Sequence, residues 1–120
     1  MTSLLTSLLI YLVIELMYMG KENKYSEQQN NVLSTIYDTL TAAGWDSYSI
    51  AGLLGNALQE SSLNPDSISK SGNYHGLLQN NSNIRKAIEE QYGDYSLDSQ
   101  LKYVIDWANG EDWIRKGKHA

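Results

Sequence analysis

The chain has 120 residues, 19% of them charged, a net charge of −5 and no cysteine. That length holds one domain with a modest core. The acidic balance excludes a nucleic-acid partner, which needs a basic patch; the missing cysteines exclude disulfides and thiolate metal sites. His75 and His119 differ too much in context to suggest a metal pair. Neither metal nor cofactor is therefore expected.

Leu4 to Met19 is apolar nearly all round, broken by Thr6, Ser7 and Glu15. Leu5, Leu9, Leu12, Leu16 and Met19 follow the alternating four-three spacing of a heptad seam. Ile10, Val13 and Ile14 lie on other faces, so the segment seeks burial on most sides. Three readings stand. The first is a helix buried among other subunits of an assembly. The second is a membrane-active or anchoring helix, although 16 residues at about 1.5 Å each reach about 24 Å, against a hydrocarbon core of about 30 Å. The third is a signal sequence, for which the preceding basic residue and the small-residue cleavage site are both missing. Lys21 and Lys24 follow the segment and would hold its C-terminal side in the cytoplasm. Residues 1–25 are thus set apart as a hydrophobic helix and linker, and 26–120 as the domain.

Ser26 followed by Gln29 predicts a capped helix start. The helix runs to about Ala43, with Val32, Leu33, Ile36, Tyr37 and Leu40 inward and Gly44 just past its end. Asp46 or Ser47 starts the next helix, which reads Ile50-Ala51-Gly52-Leu53-Leu54-Gly55-Asn56-Ala57-Leu58-Gln59-Glu60. Asn64-Pro65 is expected to stop it. Two glycines inside a helix cost roughly 1 kcal/mol each against alanine. Gly52 is therefore expected to pack closely on another element and Gly55 to admit a neighbour or ligand near the acid.

Glu60 shares a face with Asn56 and Ala57, with Leu53 behind and Leu63 just beyond. Mostly apolar neighbours predict a desolvated carboxyl that holds its proton, as does the carbonyl end of the helix dipole. Such an acid can protonate a glycosidic oxygen as it leaves.

Residues 65–75 are rich in Ser, Asn, Asp and Gly and read as a loop. Tyr74-His75-Gly76-Leu77-Leu78-Gln79 follows, with Leu77-Leu78 as a small strand or extended strip. His75 reads either as a substrate contact or as a solvated loop histidine. Ser82 is expected to cap a helix to about Tyr92, and Ser96 another to about Ala108. Inward residues are Ile84, Ala87 and Ile88 in the first, and Leu97, Leu101, Val104 and Ile105 in the second. Gly93 and Gly110 end them, and a last turn begins near Glu111-Asp112. The expected fold class is all-α with a minimal β strip. Tyr and Trp stack well on sugars, so Tyr74, Tyr92, Tyr95, Tyr103 and Trp107 are cleft candidates. Asp66, Asp94 and Asp98 are candidates for a second carboxylate.

Taken together, residues about 31–107 resemble the phage tail lysozyme family, within the goose-lysozyme and lytic-transglycosylase superfamily. The resemblance rests on Ala51-Gly52-Leu53-Leu54-Gly55-Asn56, Gln59-Glu60-Ser61, Leu63-Asn64-Pro65, Gly76-Leu77-Leu78-Gln79 and the helix from Leu97 to Tyr103. It implies a small helical lysozyme-like domain that cuts peptidoglycan glycan strands, by hydrolysis or transglycosylation. It places Glu60 as the catalytic acid and Gln79 on the cleft wall, with Tyr74, His75, Gln100 and Tyr103 as substrate-binding candidates. The implied setting is a phage virion, as a tail or internal ejected component acting in the bacterial envelope. Leu4–Met19 would contact other virion subunits or a membrane. The chain departs from the family at Asn80-Asn81, where an aromatic usually follows the glutamine. It also ends soon after Trp113-Ile114, so one cleft wall is expected to be short or supplied by another subunit. An inactive plug of a phage assembly and a membrane-anchored enzyme of conjugation or lysis are the rival readings.

Overall fold

The computed structural model describes residues 25–117; the hydrophobic segment Leu4–Met19 and His119 lie outside them. The order is α1 (Glu27–Ala42), α2 (Ser47–Ser61), β1 (Tyr74–His75), β2 (Asn80–Asn81), α3 (Ser82–Tyr92), α4 (Leu97–Ala108) and α5 (Asp112–Gly117). The all-α class with a minimal β strip is what forms.

Local chemistry sets most of the boundaries. Ser26 and Gln29 make a reciprocal cap: the Gln29 N–H donates to the Ser26 hydroxyl at 3.0 Å and the Ser26 N–H to the Gln29 amide oxygen at 2.8 Å. Asp46 caps α2 through the Ser49 N–H at 2.8 Å, and that bond holds its carboxyl below the usual range. Helix α3 begins differently from expectation. Asn81, not Ser82, accepts the Ile84 N–H, at 2.9 Å.

Helix α2 also ends differently. It stops at Ser61, before Asn64-Pro65, because Ser62 (φ 56°) and Leu63 (φ 64°) turn left-handed. That conformation is costly for residues with a side chain. Tertiary contacts hold it: Leu63 is almost fully buried, and the Gln29 side-chain amide donates to the Ser62 carbonyl at 3.0 Å.

The main core joins Val32, Leu33, Ile36 and Leu40 of α1 to Ile50, Leu54 and Ala57 of α2. Leu63, Leu77 and Leu101 of α4 complete it. A smaller core gathers Ile88, Tyr103 and Ile114, with Ile84, Tyr92, Tyr95 and Trp113 against it. Trp113 meets Tyr92 and Tyr103 edge-on, with ring centroids 5.9 Å apart in each pair. Helix α4 serves both cores, which widens its buried face. Ser99, Gln100 and Tyr103 are buried along with Leu101, whereas Val104 and Ile105 are only half-buried.

Gly52 and Gly55 do not pack closely. A methyl group at either would meet no atom within 4 Å. Among the described residues, then, no element makes the close approach expected at Gly52, and the space beside Gly55 is open. Gly52→Ala should instead stabilise the domain by up to about 1 kcal/mol through helix propensity. A thermal melt would read this as a gain of about 4–8 °C. An unchanged or lower midpoint would contradict it.

Candidate active site

Glu60 lies in the last turn of α2, and its neighbour Ser61 fixes where that turn points. The Ser61 hydroxyl proton is shared between the Leu77 carbonyl at 2.8 Å and the Ala57 carbonyl at 3.1 Å. The same oxygen accepts the Asn64 N–H at 3.1 Å. One small side chain thus fastens the helix end to the Gly76–Gln79 segment. Sequence reading missed this role, although Ser61 sits inside the motif.

That segment is the loop of a hairpin in which Tyr74 pairs with Asn81 and His75 with Asn80. The loop closes through the Gln79 N–H on the Gly76 carbonyl at 3.2 Å. Gly76 (φ 85°) and Gln79 (φ 57°) supply the left-handed turns. Leu77 anchors the loop in the main core.

Two side chains, buried Gln100 and half-buried Tyr95, brace the loop from behind. The Gln100 amide oxygen accepts the Leu77 N–H at 2.8 Å, and its nitrogen donates to the Pro65 and Tyr95 carbonyls, each at 2.9 Å. The Tyr95 hydroxyl donates to the His75 carbonyl at 2.8 Å and accepts from Asn80 at 3.1 Å. Asn80-Asn81, the departure from the family pattern, therefore has structural work: one residue braces Tyr95 and the other caps α3.

Among the described residues, Glu60, Tyr74 and Gln79 line a groove of about 300 Å³. Gln79 donates its side-chain amide to the Gly76 carbonyl at 2.9 Å and the Ser67 carbonyl at 3.3 Å. Its amide oxygen is consequently the end that can accept from a ligand. Tyr74 is half exposed. Glu60 is exposed too, contrary to the apolar setting expected for it. Ala57 turns into the core, and Asn56 beside it is exposed and polar. The described residues do not bury this carboxyl.

The other candidates sit elsewhere. Successive strand residues face opposite ways, so His75 turns from Tyr74 towards α3. Its Nδ1 lies 3.2 Å from the Arg85 Nη1 and its Nε2 3.1 Å from the Ser82 Oγ. Arg85 can only donate, so Nδ1 is the acceptor of that contact. Arg85 also lies over the Tyr95 ring, 4.8 Å from its centroid. Gln100 is buried with its amide committed to the backbone and does not reach the groove. Tyr103 is buried, which pushes its phenol pKa up. It lines a second cavity of about 360 Å³ with Trp45, Asn56, Leu78, Asn80 and Trp107.

None of the second-carboxylate candidates lines the Glu60 groove. Asp94 accepts the Ser99 hydroxyl at 2.6 Å and the Ser96 N–H at 3.1 Å, which hold it below the usual carboxylate range. Asp98 pairs with Lys102 at 3.2 Å on the surface. Asp66 faces a different pocket, with Arg85 and Tyr95. Among the described residues, then, this groove holds one carboxyl, one amide oxygen and one aromatic face.

A family model described as phage tail lysozyme matches residues 31–119. No curated protein and no solved structure matches the chain.

Proposed function

The chain belongs to the phage tail lysozyme family, and from that premise we propose that Glu60 is the proton donor with which it cuts peptidoglycan glycan strands. A lysozyme-like, phage-associated activity on peptidoglycan is what the family brings. The observation that carries the finer reading is the groove: Glu60, Gln79 and Tyr74 face one space, and Ser61 locks their two elements together.

The chemistry follows from that inventory. The Glu60 carboxyl gives its proton to the bridging oxygen as the bond from that oxygen to the anomeric carbon breaks, and the bonding electrons leave with the oxygen. The carboxylate left behind then takes a proton from the hydroxyl that attacks the anomeric carbon. Gln79 orients that hydroxyl through its amide oxygen, and Tyr74 offers its ring to a sugar face.

Glycosidases that activate water usually do so with a second carboxylate. The described groove lining has none, which favours attack by a hydroxyl of the substrate's own sugar, a lytic transglycosylation. Mass spectrometry of products from purified peptidoglycan tests this. Products lacking one water relative to hydrolysis fragments are expected; fully hydrated products would show hydrolysis instead. In a zymogram the wild-type chain should clear peptidoglycan, whereas an inactive plug with the same fold clears none. The proposed setting is a virion, as a tail or ejected component that opens the wall locally during genome delivery. Leu4–Met19 would tie the domain to other subunits or to the membrane.

A further inference from the structure

We propose that the pocket between Asp66 and Arg85 binds the free amine and carboxylate that end a diamino acid of the peptidoglycan stem peptide. This rests on the reading of the chain as a peptidoglycan-cleaving enzyme and adds which wall chemistry it favours.

Opposite charges stand in one pocket without meeting. Asp66 and Arg85 both line a space of about 220 Å³, yet they make no ion pair with each other. Arg85 is held by other partners. Its Nε donates to Glu89 at 3.2 Å and its Nη1 to the His75 Nδ1 at 3.2 Å, and its guanidinium lies over the Tyr95 ring. A guanidinium carries five N–H groups, so these two bonds leave three without a partner among the described residues. The Asp66 side chain makes no hydrogen bond or ion pair among the described residues. Only its backbone N–H is engaged, by the Asn64 Oδ1 at 2.9 Å. A cation and an anion held apart in this way present a fork for a carboxylate and an acceptor for an amine to one ligand.

The rest of the lining narrows that ligand. Pro65 and the exposed Ile68 give the pocket an apolar side, which suits methylenes. The volume lies below the roughly 300–1,000 Å³ of sites for drug-sized molecules, so it fits the end of a chain. Peptidoglycan offers such an end where its stem peptide carries meso-diaminopimelate, whose side chain runs through methylenes to an adjacent amine and carboxylate. A lysine at the same place ends in an amine alone and leaves Arg85 unanswered. The hairpin loop walls both this pocket and the Glu60 groove. Gln79, which lines the groove, donates its side-chain amide to the Ser67 and Gly76 carbonyls, and both of those residues line the pocket. A stem peptide leaving a strand in the groove therefore has that one loop to cross.

The test is an NMR titration of the full-length chain with two soluble tripeptides, both acetylated at the N-terminus. One is L-Ala-γ-D-Glu-meso-diaminopimelate; the other ends in L-Lys instead. The first should shift the Arg85 Nε–H and the Tyr95 ring signals, and the second should bind about tenfold more weakly. Equal affinity for the two, or no binding of the first, would overturn the proposal. Undiminished binding after the side-chain amine is also acetylated would reduce the site to an anion contact on Arg85 and overturn it too. Free glycine binding as tightly as the first peptide would make this a site for a loose amino acid and sink the stem assignment. Asp66→Asn should weaken the first peptide about tenfold, and an unchanged affinity would contradict the role of that carboxylate. Asp66 is exposed, so the fold survives, which a thermal melt checks. Glu60→Gln should bind the peptide as wild type does, and Asp66→Asn should still cut glycan stripped of its stem peptides. The pocket and the Glu60 reading therefore fail separately.

Discussion

Gly76→Ala is expected to lower stability by about 2–6 kcal/mol and to abolish activity with it. Two effects add. The backbone at Gly76 is left-handed (φ 85°), a conformation that costs a residue with a side chain about 1–3 kcal/mol. A Cβ there would also stand 2.5 Å from the Gln100 Oε1, 2.7 Å from the Tyr95 hydroxyl and 2.8 Å from its ring. Neither neighbour can withdraw cheaply. Gln100 is pinned by three backbone groups, and the Tyr95 hydroxyl by the His75 carbonyl and Asn80. Forced overpacking of this kind costs about 1–3 kcal/mol. Gly72→Ala is the matched control: its φ is 80°, yet nothing lies within 4 Å of an added Cβ. Urea melts of the two variants separate the terms. Gly76→Ala should fall well below Gly72→Ala, and equal losses would show that the bracing behind the loop is weak.

Glu60→Gln should leave the fold unchanged and remove the chemistry. The side chain is exposed and appears in no ion pair or hydrogen bond among the described residues, so an isosteric amide disturbs little. An amide cannot give up a proton to the leaving oxygen, and general acid–base catalysis is typically worth about 10²–10⁴-fold. Glu60→Asp should fall between the two, because it keeps the acid but draws it back by one methylene from a proton transfer that needs close approach.

The elements were legible in the sequence where the signal is local. Ser26 with Gln29, Asp46, Gly93 and Ser96 each act on backbone a few residues away, and each does in the structure what its type implies. The Glu60 and Gln79 motifs were legible through the family resemblance, and the fold brings those two residues to one groove. What could not be read depends on distant partners. The family resemblance offers Gln100 as a substrate-binding candidate, yet its partners lie at Leu77, Pro65 and Tyr95. Ser62 and Leu63 carry no glycine to announce a left-handed turn; burial of Leu63 and the amide of Gln29 impose it. Gly52 is expected to pack because a helical glycine usually has a reason, yet among the described residues the space beside it is open. His75 followed Tyr74 in a motif, and the alternation of a two-residue strand sent the pair to opposite sides.

The most direct measurement is the rate at which soluble glycan is released from purified peptidoglycan by wild type and by Glu60→Gln, at equal concentrations and matched thermal midpoints. A proton donor in the groove predicts that the variant is slower by about 100-fold or more. Release by the folded variant within a few-fold of wild type would mean that the bond is broken elsewhere and that Glu60 is only part of the surface.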